Sequence, residues 1–171
     1  MNKKLILLVI AITPLVVLSG CGQKSLTEKQ LENAVEDSMG QNVDVDMGNG
    51  EVKITTEDGS VMEVGGGVSI PTDFPKDVYV VDGDIASAMK NVMGAGYQLT
   101  LSNGKTVSEN QAIYEEELVK EGWTIGQSFA MGDTVMLSAN KDDRTTSVTI
   151  SIDPDNEGTT MVIINAMEAL N

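Results

Sequence analysis

The chain has 171 residues, 41% of them hydrophobic and 22% charged, with 26 acidic residues against 11 basic ones and a formal charge of −15. It contains no histidine and a single cysteine, which excludes Ser-His-Asp and Cys-His nucleophilic sites, His-ligated zinc and any intramolecular disulfide. The acidic balance, with no basic patch along the chain, speaks against nucleic acid or an anionic lipid surface as partner.

Residues 1–20 read as a secretory signal: Lys3 and Lys4 form a positive n-region, Leu5 to Val17 an apolar h-region, and small residues Ser19 and Gly20 follow. Pro14 interrupts the run, which is shorter than the about 20 apolar residues a membrane helix needs. Leu18-Ser19-Gly20-Cys21 matches a lipobox, so the segment resembles the signal of bacterial lipoproteins. That resemblance implies cleavage before Cys21, thioether-linked lipid on its thiol, and a further acyl chain such as palmitate on the new amino terminus. Two or more chains hold a protein at a membrane where one gives only marginal binding. Losing Lys3 and Lys4 would leave 26 acidic residues against nine basic ones, a charge of −17. Gly22, rather than an aspartate, follows the cysteine, which by analogy implies outer-membrane sorting in a two-membrane bacterium. The expected location is therefore the cell membrane or outer membrane, facing periplasm or exterior.

The expected organisation is a signal at 1–20, a lipidated anchor and short linker at 21–24, a helix plus β-meander subdomain at 25–67 and an α+β domain at 68–171. Ser25 to Met39 is predicted helical: Thr27 and Gln30 have capping-box spacing, Leu31, Ala34, Val35 and Met39 recur with helical period, and Gly40 is a natural stop. Three strands should follow. Val43, Val45 and Met47 alternate with aspartates, Asn49-Gly50 marks a hairpin, Val52 and Ile54 alternate with charges, and Asp58-Gly59 turns into Val61 to Val64. One helix on a three-stranded meander makes a thin core, so this unit should lean on the rest of the protein.

Gly65-Gly66-Gly67 and Ile70-Pro71-Thr72-Asp73-Phe74-Pro75 break regular structure and place a boundary there. A strand is expected at Tyr79 to Val81. The segment Ile85 to Met93 is ambiguous, because its apolar residues are helically spaced but Gly94 and Gly96 leave it short. Tyr97 to Ser102 reads as a strand, and Ser108 to Glu121 as a helix with Ser108 and Gln111 as cap and Gly122 as stop. Thr124 to Ala130, Thr134 to Ala139, Thr145 to Ile152 and Thr159 to Asn165, rich in Thr, Val and Ile, read as strands joined by short turns. Such strands pair antiparallel, which predicts an α+β fold: a helix plus three-stranded meander, then a mainly antiparallel sheet with one helix packed across it.

Ile70-Pro71-x-x-Phe74-Pro75-x-Asp77-Val78, followed by Tyr114-x-x-x-Leu118-x-x-x-Gly122-Trp123, is similar to a group of bacterial lipoproteins with a proline-rich lead-in and a helix closed by Gly-Trp. The likeness covers roughly Ile70 to Asn165. Members usually carry a further proline after Asp-Val and a Tyr-Pro-Gly turn, where this chain has Tyr79, Val80, Val81, Asp82 and Gly83. The resemblance implies a strand at Ile85 to Asn91 and brings no known activity.

Candidate chemistry is thin. Gly104-Lys105-Thr106 lies between a strand and a helix, as a phosphate loop does, but the glycine required five positions earlier is Leu99. Asp153 to Gly158 looks like a calcium loop, yet its twelfth position is Ile164; counted from Asp44, the sixth and twelfth positions are Asn49 and Thr55. Glu115-Glu116-Glu117 reads as a solvated helix face, and Trp123 and Tyr114 as core. Nine methionines after cleavage against six aromatic residues would let a core or a binding surface repack. The sequence therefore offers Cys21 as a lipidation site and no catalytic, cofactor or metal residue. It points to a lipid-anchored envelope protein without catalysis, a binding module for an envelope protein or small ligand, with no cofactor and no nucleic acid. Two other readings stand beside it: a hydrolase of envelope glycans using carboxylates alone, and a cation-dependent structural or adhesin-like module.

Overall fold

The structure, a computed structural model, describes residues 25–48, 50–90 and 96–167. The lipobox, Cys21 and the h-region lie outside these residues, as do Asn49 of the predicted hairpin turn and Asn91 to Gly94. Among the described residues no helix is long and apolar enough to cross a membrane.

Helix α1 (Leu26–Met39) opens on a capping box in which Ser25 and Glu28 satisfy each other's backbone N–H, and it ends at Gly40 in the left-handed conformation. The box is therefore Ser25 with Glu28, one half-turn ahead of the expected Thr27 with Gln30. A carboxylate at the third helical position also meets the positive end of the helix dipole, which a glutamine does not. Strands β1 (Val43–Gly48), β2 (Glu51–Thr56) and β3 (Val61–Gly65) form the meander. A Cβ at Gly65 would collide with the Gly50 carbonyl oxygen, and φ there is 120°, so only glycine fits this close return.

Residues 66–83 then cross the sheet without strand structure. Val81, expected in a strand, instead gives its N–H to the Tyr114 hydroxyl at 3.3 Å. β4 (Asp84–Lys90) and β5 (Gly96–Asn103) follow, so Ile85 to Lys90 is extended as the resemblance implies, not helical. α2 (Val107–Lys120) carries the chain to the far edge, and β6 (Thr124–Met131), β7 (Thr134–Lys141), β8 (Arg144–Ile152) and β9 (Thr160–Met167) meander back. The cap of α2 is Thr106 with Glu109, not Ser108 with Gln111. Gln111 turns instead towards Glu115 and Ser128.

The expected division into a meander and a following sheet under one helix is corrected by the strand order β1-β2-β3-β4-β5-β9-β8-β7-β6, a single nine-stranded sheet in which every neighbouring pair is antiparallel. A free-standing meander would leave the N–H and C=O groups of β3 unpaired at an open edge. β4 takes them, with Val61 opposite Lys90 and Val64 opposite Ser87. The glycines and prolines of 66–83 do break regular structure locally, but the chain leaves the sheet and returns to the same edge.

The core lies on one face of the sheet. Leu99, Leu137, Val148, Ile150 and Ile164 project from it, and Tyr114 and Leu118 of α2 come down onto them with Trp123, all at most 3% exposed. Phe74, Val78 and Val81 of the 66–83 strap extend the same covering layer.

Candidate functional site

Three places in the fold combine charge, exposure or unusual composition. The first is a clasp between the strap and the end of α2. Trp123 follows Gly122, whose φ of 86° closes the helix, and the Trp123 N–H returns to the Leu118 carbonyl at 2.9 Å, a Schellman closure. That fixes the indole under the strap, where Nε1 donates to the Asp77 carbonyl at 2.6 Å. The Asp77 carboxylate accepts from Arg144 at both oxygens and from Lys141 Nζ at 2.7 Å. Arg144 and Lys141 lie 5.1 and 5.9 Å from the Trp123 ring centroid, within cation–π range. Arg144, with Lys141 in support, holds the Asp77 carboxyl well below the usual carboxylate range. One carboxylate shared by two cations, with Lys141 also donating to the Glu121 carbonyl, fastens the strap, the end of α2 and the β7–β8 turn together.

The second is an open cleft of about 340 Å³ on the core-side face, beyond the reach of α2. The strap at Ser69 to Asp73 forms one wall, and Lys53, Val61, Glu63, Ala88 and Lys90 of β2, β3 and β4 form the floor. Lys53 pairs with Glu63 at 2.7 Å, and Lys90 with Asp73. Each lysine is held above its ordinary value by its carboxylate partner, and Lys90 holds Asp73 below its own. A smaller cleft of about 210 Å³ continues from Lys53 and Glu63 past Asp46 and Glu51. Nothing in the sequence marks these lysines, which lie on β2 and β4, either side of β3, in a sheet whose order is not legible from spacing.

The third is the other face of the sheet. Cross-strand register assigns Met47, Met62 and Met89 of β1, β3 and β4 to it. The same register adds Met131, Met136, Met161 and Met167 of β6, β7 and β9. Every described strand methionine therefore stands on this face. α1 roofs it at β1, over buried Val43 and Val45. Phe129, Met131 and Met136 at the far end are 57%, 69% and 51% exposed.

The residues weighed for chemistry serve local structure. Lys105 N–H bonds the Asn103 side chain and Thr106 caps α2, a connection between strand and helix. Asp153 accepts from the Asp155 N–H, Asn156 and Thr159, which closes its own turn. Asp44 and Asp46 point outward from β1, Glu115 accepts from Gln111 and Ser128, and Glu116 and Glu117 pair with Lys120. Among the described residues no three acidic, cysteine or histidine side chains are grouped to hold a metal ion.

Residues 86–158 match a family model described as START domain-like. The match begins within β4, takes in α2 and ends in the turn before β9, less than half of the chain. Its first residues include Ala88 and Lys90 of the cleft floor. No curated protein and no solved structure matches this chain.

Proposed function

We propose that this protein is a lipid-anchored module of the cell envelope, held by Cys21, that binds a small charged ligand in the cleft between the strap and β2 to β4 and catalyses no reaction. The observation that carries the ligand reading is the cleft itself: about 340 Å³, open to solvent, with a lysine–carboxylate pair at two positions and Val61 and Ala88 between them. Lys53 and Lys90 stand two strands and about two residues apart in register, on the order of 12 Å between their Cα atoms. A zwitterion of dipeptide size can exchange its own charges for those of both pairs while its apolar middle covers Val61 and Ala88. The START-like match over part of the chain accords with ligand binding. Asp73, held low by Lys90, has the direction opposite to that of a glycosidase acid, which must keep its proton near neutral pH. Lipid on Cys21 rests on the lipobox alone.

Thermal unfolding of the full-length protein in detergent, with and without a panel of zwitterionic dipeptides, tests the ligand reading. Binding should raise the melting temperature of the wild type and leave Lys53→Ala/Lys90→Ala unmoved. Turnover of any glycan, ester or peptide that a single Asp→Asn or Glu→Gln change abolishes would replace the binding module by a hydrolase.

A further inference from the structure

The two faces of the sheet differ in charge as well as in cover. Register places Asp46, Lys53, Glu63 and Lys90 on the core-side face, with Lys141 and Arg144 at its far end. On the methionine face, the one ionisable strand residue among the described residues is Asp84, opposite Ser102 near the end of β4. The remaining positions of that face are apolar, hydroxyl, amide or glycine residues. In a chain with a formal charge of −15, a sheet face this neutral has not arisen from surface solubility, which calls for interspersed charge.

We propose that this face docks against the same face of a second copy, β5 to β9 of one chain lying over β5 to β9 of the other. Three features favour a copy as occupant. Two strongly acidic chains repel at nearly every other orientation, and this face brings almost no like charge into contact. The extent also fits: five strands about 4.8 Å apart and about eight residues long span on the order of 650 Å² in plane, close to the about 800 Å² per partner of a standard interface. Part of the polar row is already internally bonded, since Gln98 donates to Asn165 at 2.7 Å and Asn165 to Ser147 at 3.3 Å, so covering these three side chains leaves them with partners. A two-fold contact of twisted sheets, packed face to face at about 30°, makes the patch its own complement. Flexible thioethers let the copies settle without a shape fixed in advance.

The inference does not depend on the ligand proposal and is tested without a ligand. The full-length chain is produced in bacteria with the photo-crosslinking residue p-benzoylphenylalanine in place of Thr149, at the centre of the face between Met136 and Ile163, or of Glu116 on the outer side of α2 as control. Irradiation of intact cells should give a band of twice the chain mass from position 149 and not from position 116. Adding Met136→Asp, at a residue 51% exposed and so tolerant of the change, should reduce that band about tenfold while the monomer level stays unchanged. No dimer from position 149, an equal dimer from position 116, or an undiminished dimer with Met136→Asp overturns the proposal. A crosslink to phospholipid or to a protein of another size overturns it too, in favour of a bilayer or an unlike partner.

Discussion

The indole N–H of Trp123 donates to the backbone carbonyl of Asp77 at 2.6 Å across 46 residues of chain, which ties the end of α2 to the strap over the sheet. The same two segments meet again where the Tyr114 hydroxyl accepts from Val81 N–H and its ring meets Tyr79 edge-on at 5.6 Å. The strap residues Phe74 and Val78 and the helix residues Tyr114, Leu118 and Trp123 occupy one core. The two halves of the lipoprotein-like motif are therefore the two sides of one contact.

Truncating the plug should be costly. Trp123→Ala removes a side chain only 3% exposed and is expected to lose about 3–5 kcal/mol, as large aromatic deletions in cores do. Trp123→Phe should lose less, keeping most of the volume and giving up the bond to Asp77. Urea unfolding of both variants decides it, and a loss below about 1 kcal/mol for the alanine variant would contradict the clasp.

The Asp77 carboxylate gives the clasp a pH signature. Its folded pKa is depressed, chiefly by Arg144 and then by Lys141. Its contribution is thus complete above the unfolded value of about 3.9 and drains as the pH falls towards the folded one. Asp77→Asn should cost about 1–3 kcal/mol at neutral pH and flatten the stability profile below about pH 4. Chemical denaturation at pH 7, 5, 4 and 3 measures both effects. An Asp77→Asn variant as acid-sensitive as the wild type would count against it.

Much of the architecture is legible where one residue pattern has one outcome. Gly40 and Gly122 end their helices because a left-handed residue was needed there, and Val, Ile and Thr runs between Asp-Gly or Gly-Asp turns became strands. Both capping boxes lie two residues before the Thr27–Gln30 and Ser108–Gln111 pairs, because Ser25-x-x-Glu28 and Thr106-x-x-Glu109 share their spacing and add a carboxylate. What stayed hidden needed strand order. The joining of β3 to β4, and with it the cleft, depends on where the chain returns after 18 irregular residues. The methionine face was hidden for a related reason: β9 alternates Val162, Ile164 and Ala166 with Met161, Ile163, Asn165 and Met167, mostly apolar on both sides, so alternation alone assigns neither.

The outer edge of β1 is guarded by glutamates of α1. Glu28 accepts from Met47 N–H at 3.1 Å and Glu36 from Val43 N–H at 3.2 Å. Edge amides left open invite pairing with another chain. Glu28→Ala/Glu36→Ala should speed amide exchange at Val43 and Met47 and make the protein prone to concentration-dependent aggregation. Hydrogen exchange followed by mass spectrometry reads the first, and light scattering the second. Unchanged exchange at both amides would show that packing of α1, rather than its carboxylates, protects the edge.

The proposed placement at a membrane rests on the thiol of Cys21. The four residues from Cys21 to the Ser25 cap of α1 reach at most about 14 Å when extended, so lipid on Cys21 would keep α1 and the guarded β1 edge close to the bilayer surface. Two acyl signals are needed for stable residence there. Cells fed an alkyne-tagged fatty acid should label the wild-type chain, and mass spectrometry should find an amino-terminal Cys21 carrying diacylglycerol. Cys21→Ala should abolish the label and accumulate the longer precursor, because the peptidase that cuts before Cys21 acts on the lipidated form that the resemblance implies. A chain cut at the same bond but bearing no lipid would remove the anchor, while leaving the cleft and the neutral face to be judged by their own experiments.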